Sequence, residues 1–384
     1  MSARDTNGRL AGAPRGAAKL LAVHWPLVLL LTAVAGMGFM MLYSVAGGSF
    51  DPWARAQMTR FGFGIGVMLV IAMIDIRFWK LVSPLAYLVS FGLLLYVEMA
   101  GHVGMGAQRW INLGFIVLQP SEMMKIALVL LLAAYYAWLD PAKVSRPLWM
   151  IPPIALILTP VFLVMTQPDL GTSIMLLSGG AAVMFLAGVS IWYFAAAAAG
   201  AAGLVTLVLR SRGTDWQLLR DYQFNRIDTF LDPSSDPLGT GYHITQAKIA
   251  LGSGGWAGRG FMQGTQSRLN FLPEKHTDFI FTTLAEEFGF LGTVALLILF
   301  TLVIVFCALS AIGNRDRFGA LLTGGIGMTF FLFFAVNMAM VMGLMPVVGV
   351  PLPLVSYGGS AMLVLLAAFG LAQSAHVHRP RERG

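Results

Sequence analysis

Charge is what this chain most lacks: only 11% of its 384 residues are Asp, Glu, Lys or Arg, where soluble domains carry roughly 25%. That scarcity, with 57% hydrophobic residues and a mean hydropathy of +0.76, excludes a soluble fold. There is one cysteine, Cys307, which excludes an intrachain disulfide and a metal-thiolate centre. The glycine-rich GSGGWAGRG, residues 252–260, lacks the Gly-Lys-Ser/Thr ending of a phosphate loop and has no strand before it, so nucleotide binding there is rejected. Zinc-hydrolase spacing is absent, and no Ser-His-Asp or Cys-His constellation can be assembled.

What remains is a series of apolar runs, near 24 to 46, 59 to 76, 81 to 100, 120 to 139, 148 to 166, 170 to 187, 189 to 210, 282 to 311, 318 to 344 and 357 to 375. Crossing a hydrocarbon core takes about 20 helical residues, because every backbone amide must be satisfied within the segment. The fold class is therefore an all-α polytopic membrane protein of about ten transmembrane helices, treated as one domain over residues 1–384. The first run is longer than the ~7–15 residue core of a signal peptide and is read as a retained helix behind a tail at residues 1–23.

The net charge of +7 suggests nucleic acid until the cations are placed. Thirteen Lys and Arg residues in short segments and tails, among them Arg4, Lys19, Lys80, Lys143 and Arg317, share one face against Arg55, Arg60 and Arg109 opposite. This asymmetry sets topology and puts both termini in the cytoplasm, with no nucleic-acid partner. The segment 211–281, between the seventh and eighth helices, is then a large external loop. Its charges of both signs, its aromatics and the helix-compatible YHITQAKIAL argue for order.

Four polar clusters interrupt the apolar pattern. In NFLPEKHTDFIFTTLAEEFG, residues 270–289, Glu274, Lys275, His276 and Asp278 crowd the start of the eighth helix. Asp278 is either a dipole-compensating carboxylate or an acceptor aimed into an outward cavity. In GHVGMGAQRWINLGFIVLQPSEMMK, Glu122 and Lys125 stand three residues apart on a helix that Pro120 starts, and can pair. Ionisable residues within a span usually mark function. Arg109 and Trp110 lie just outside the membrane, where a Trp also serves as an interfacial anchor. Asp169 in TQPDLGTS reads as a helix-start carboxylate. MPVVGVPLPLVSYGGS, residues 345–360, is irregular backbone suited to a cavity wall.

These motifs, namely QPDLGTS, DPLGTGYHITQAKIALGSGGW, LPEKHTDFIF followed by AEEFG, and PVVGVPLPLVSYGGS, closely resemble the SEDS family of cell-wall proteins from about Gly101 onward. Lys275 and Leu170 resemble its elongation branch more than its division branch. The resemblance implies a ten-helix fold in a bacterial inner membrane and glycosyl transfer on lipid II, the undecaprenyl-pyrophosphate disaccharide pentapeptide, without moenomycin sensitivity. It also implies a class B penicillin-binding transpeptidase as partner.

Asp278 matches the family's essential aspartate and is the expected base. Arg109, Lys125 and Lys275 are the expected cations for the leaving pyrophosphate, and a divalent cation, Mg or Mn, would supply the same stabilisation. Glu122 would orient Lys125, Trp110 would stack on a sugar, His276 would favour the ionised Asp278, and membrane lipids would surround an apolar groove for the polyprenyl tail. Two rivals stand beside this reading: a flippase for the same precursor, and a non-catalytic scaffold for a penicillin-binding protein. Polar groups at external helix ends rather than at mid-membrane disfavour the flippase. A scaffold would not need Asp278, Glu122 and Lys125 turned toward a common cavity.

Overall fold

A computed structural model describes residues 16, 18–100, 102–104, 107–112, 114, 117–218, 221–233, 236, 239–269 and 275–379. Arg4, Arg9, Arg15, Arg220, Glu274, Arg381 and Arg383 lie outside them. Each of the ten apolar runs is a helix: α1 (Trp25–Val45), α2 (Trp53–Met73), α3 (Ile76–Ala100), α4 (Pro120–Trp138), α5 (Pro147–Thr166), α6 (Leu170–Leu186), α7 (Ile191–Arg210), α10 (Ile280–Ile312), α11 (Arg317–Val341) and α12 (Gly359–Val377). Among the described residues nine of them are long and apolar enough to span a membrane, and α6, with 17 residues, is a shorter apolar helix. The chain is a multi-pass membrane protein.

Prolines mark several starts. Pro26, Pro120 and Pro147 occupy the first turns of α1, α4 and α5, where the missing N–H costs nothing. Asp316 caps α11 by accepting from the Gly319 amide at 3.0 Å. The centre of the bundle is built on α4, α11 and α12, whose inner faces carry the fully buried Tyr136, Phe330 and Phe369. The alanine-rich α7 buries none of its residues fully and touches the bundle at its start, where Phe194 packs edge-on against Phe185.

Two helix starts and one connection differ from the sequence expectation: the third helix begins at Ile76 rather than near residue 81, which places Arg77 and Lys80 in its first turns. The second helix starts at Trp53 rather than near residue 59, because Arg55, Gln57 and Arg60 dilute an apolar run without breaking the helix. Arg60 therefore lies inside α2 and not in the preceding loop. Between α3 and α4 the chain forms a small antiparallel sheet of β1 (His102–Gly104), β2 (Ala107–Asn112) and β3 (Val117–Leu118), which the sequence pattern did not announce. In the long segment after α7, α8 (Asp221–Leu231) and α9 (Thr240–Ser253) bear out the expected order, with YHITQAKIAL inside α9.

A further difference is a break within α10 at Gly289, where φ is 60° and ψ is −155°, a region open essentially to glycine alone. The preceding stretch, Ile280–Glu287, is buried on all sides. The glycine-rich 252–260 segment wraps this break. Gly260 N donates to Glu287 O at 3.0 Å, Phe290 N to Gly255 O at 2.8 Å and Leu291 N to Trp256 O at 3.1 Å. Glu286 accepts from the Thr265 amide at 2.8 Å and its hydroxyl at 2.9 Å, while Ser44 donates to Glu287. A Cβ at Gly289 would stand 2.3 Å from Gly258 N. Gly289→Ala should therefore cost at least ~1–3 kcal/mol of backbone strain and lower the thermal melt of the purified protein. An unchanged melt would mean that the break is not required.

Candidate active site

The turn that precedes α10 carries His276, Thr277 and Asp278, and it is sewn to the irregular stretch between α11 and α12. Tyr357 N donates to His276 O at 2.9 Å. The Ser356 hydroxyl donates to Thr277 O at 2.6 Å and accepts from Leu352 N at 2.8 Å. Asn337 on α11, fully buried, donates from Nδ2 to Asp278 O at 3.0 Å and to Val350 O at 2.7 Å. Gly349, in a left-handed conformation at φ 70°, leaves room beside the carboxylate: a Cβ there would lie 3.7 Å from Asp278 Oδ2. Backbone and side-chain bonds thus fix the Asp278 main chain, and the residue as a whole is partly exposed.

The QPDLGTS motif buttresses the same stretch from the other side. Asp169 caps α6, accepting from the Thr172 amide at 3.1 Å and its hydroxyl at 3.0 Å, which is the helix-start role expected of it. Gly171 presses so closely on the loop that a Cβ would meet Val348 O at 2.3 Å. Arg109 on β2 donates to Gln167 O at 3.0 Å and Pro168 O at 2.7 Å, and lies 3.7 Å from Asp169 Oδ2. Much of its hydrogen-bonding capacity therefore braces this turn. Trp110, its neighbour on β2, is half-buried and paired in register with His102.

Glu122 and Lys125 do pair, at 2.8 Å, with both side chains less than a tenth exposed. Lys125 Nζ also sits 4.2 Å above the Phe333 ring. The pair lines a narrow, partly open cleft whose other wall is Pro351–Leu354, Ser356 and Gly358, with Met362 and Leu365 of α12. Residues 351–358 of the irregular stretch are a cavity wall facing the ion pair, while Asp278, joined to the same stretch through Asn337 and Ser356, is not among the residues that line this cleft.

Three residues of α2 belong to this region and were missed. Trp53 stacks on the His276 ring with centroids 4.5 Å apart and planes 15° apart. Gln57 Nε2 donates to Ser356 O at 2.8 Å, and the Arg60 guanidinium lies over the Tyr357 ring. Their spacing of four and three residues, one helical face, was the available signal; it is lost when the helix is started near residue 59. Lys275 is half-buried, and burial pulls its ammonium below the usual lysine range. Among the described residues no group of three His, Cys, Asp or Glu converges to hold a metal ion.

Residues 24–381 match the model of the cell cycle protein family that groups FtsW, RodA and SpoVE. The chain is 42% identical over 355 residues to peptidoglycan glycosyltransferase MrdB of Escherichia coli K12, covering 92% of this chain and 93% of that one. It is 34% identical to stage V sporulation protein E of Bacillus subtilis, over 90% and 94% of the two chains. Among solved structures it resembles the rod shape determining protein RodA of Thermus thermophilus, with a TM-score of 0.71, 27% identity and coverage of 94% and 99%. It also resembles a chain from a study of how a peptidoglycan synthase complex coordinates polymerization and crosslinking, with a TM-score of 0.78, 31% identity and coverage of 93% and 98%. A family model matched over nearly the whole chain, and relatives this similar end to end, mean that the chain belongs to the SEDS family of FtsW, RodA and SpoVE.

Proposed function

We propose that this chain is a peptidoglycan glycosyltransferase that polymerises lipid II into glycan strands during cell elongation. The observation that supports the proposal is the seam that ties residues 276–278 to 350–357, the stretch that also walls the cleft holding Lys125, so that Asp278 and Lys125 are both attached to one irregular segment. The name of the Escherichia coli relative supports the same activity.

In this mechanism the 4-hydroxyl of an acceptor sugar attacks the anomeric carbon of a donor, and the bond from that carbon to the pyrophosphate oxygen breaks. Asp278 takes the hydroxyl proton, and a positioned base of this kind contributes ~10²–10⁴-fold. Lys275 and Lys125 offset the charge that develops on the departing pyrophosphate, with Glu122 fixing the Lys125 ammonium. Arg109 acts on the substrate side of the QPDLG turn that it braces, Trp110 offers a sugar platform, and His276, held flat by Trp53, adds positive potential beside the base when protonated. The polyprenyl tail lies in the apolar part of the cleft, along Ile126, Phe333 and Leu365, continuous with membrane lipids.

The charge asymmetry supports cytoplasmic termini, a site on the periplasmic face of an inner membrane, and residues 211–281 as an external part of one membrane domain, 1–384. A class B penicillin-binding transpeptidase is the partner proposed, in keeping with the similar chain studied in a synthase complex. In vesicles loaded with labelled lipid II the purified chain should produce glycan polymer that persists in moenomycin. Translocated lipid II without polymer would replace this proposal with the flippase.

A further inference from the structure

Cations within a membrane protein or at its edge need an anion, and near this site most already have one. Lys125 is paired with Glu122 at 2.8 Å, and Arg109 lies 3.7 Å from Asp169. Arg60 differs. Among the described residues no carboxylate forms an ion pair with it. Its Nη1 is sealed from solvent without an acceptor, and the Oε1 of Gln57, one turn earlier, is buried without a donor.

Arg60 is the eighth residue of α2, counted from Trp53. At 1.5 Å per residue this places it roughly 10 Å from the helix start that stacks on His276. A charge at that depth is costly and marks function by default. The guanidinium lies 5.0 Å from the Tyr357 centroid, and 3.5 Å from where a Gly359 Cβ would be. A cation–π contact returns only ~0.5–2 kcal/mol and satisfies no N–H. Tyr357 and Gly359 flank Gly358, which lines the Lys125 cleft.

We propose that Arg60 is a substrate-binding residue that donates to a phosphoryl oxygen of the polyprenyl-pyrophosphate-linked substrate, beside the Tyr357–Gly359 turn. This inference rests on the glycosyl-transfer proposal for its substrate class. A guanidinium suits the task because its planar fork stacks on Tyr357 and still presents N–H groups at its edge. The bland alternative is a brace that pins the turn through Tyr357 alone.

The test is direct binding of a long-chain polyprenyl pyrophosphate, and of the corresponding polyprenol without phosphate, to the wild type, Arg60→Gln and Arg60→Lys in detergent. Arg60→Gln should weaken pyrophosphate binding about 10- to 100-fold, the loss of one charged hydrogen bond, with polyprenol binding unchanged. Arg60→Lys, which keeps the charge and loses the stack, should fall between and serves if Arg60→Gln fails to fold. Equal pyrophosphate binding by all three, or an equal loss for polyprenol, overturns the inference and leaves a brace. Polymerisation by the wild type is scored separately. Normal polymer with Arg60-independent binding fails this inference alone, whereas Arg60-dependent binding without polymer fails the glycosyl-transfer proposal and leaves the anion site standing.

Discussion

Asp278→Asn should abolish polymer formation, lowering the rate by at least ~10²-fold, while the protein melts as the wild type does. Several contacts that hold this turn run through the backbone: Asn337 donates to the Asp278 carbonyl, and Ser356 and Tyr357 anchor the two residues before it. An asparagine keeps all of these and nearly the same volume, so the turn survives. It cannot accept the acceptor sugar's proton, because an amide oxygen is far too weak a base. Rates measured on labelled lipid II, alongside a thermal melt, check both halves. Wild-type rates would mean that Asp278 is structural and the base lies elsewhere.

The second large effect concerns Glu122 and Lys125. Both are buried, so removing one leaves the other charge without compensation, which costs about 3–5 kcal/mol. Lys125→Met should therefore lose stability and polymerisation together, a result that alone cannot separate a site from a scaffold. The pair does. Glu122→Gln combined with Lys125→Met removes both charges and should recover most of the lost melting temperature, since buried ion pairs replaced together are often neutral. Polymerisation should stay lost, because the cation for the leaving group is still missing. A stable double variant with wild-type rates would reduce the pair to a structural contact.

The spans were legible because each is an unbroken apolar run, and run length is the dominant signal in lipid. The start of α2 was not, since Arg55, Gln57 and Arg60 look like loop residues until their common helical face is recognised. The break at Gly289 was hidden for another reason: a lone glycine inside a helical run does not announce a break, and the hydrogen bonds that define it come from residues 255–260. Asp278, Glu122 and Lys125 stood out as charges against an apolar background, and Asp169 as a helix-start carboxylate. Arg109 looked like a substrate cation because its partners, Gln167 and Pro168, are 58 and 59 residues away. No local pattern reports such pairings. The same limit applied to Asn337, an isolated polar residue in an apolar helix whose value lies in two carbonyls it reaches across the bundle.

The central claim is that this membrane chain itself forms the glycosidic bond. The most direct measurement is the length distribution of glycan made from labelled lipid II by the purified chain with its penicillin-binding partner, with moenomycin present and the partner's transpeptidase blocked by a β-lactam. Long, uncrosslinked strands are expected from the wild type. Lipid II recovered unpolymerised from a folded, partner-bound wild-type preparation would contradict it.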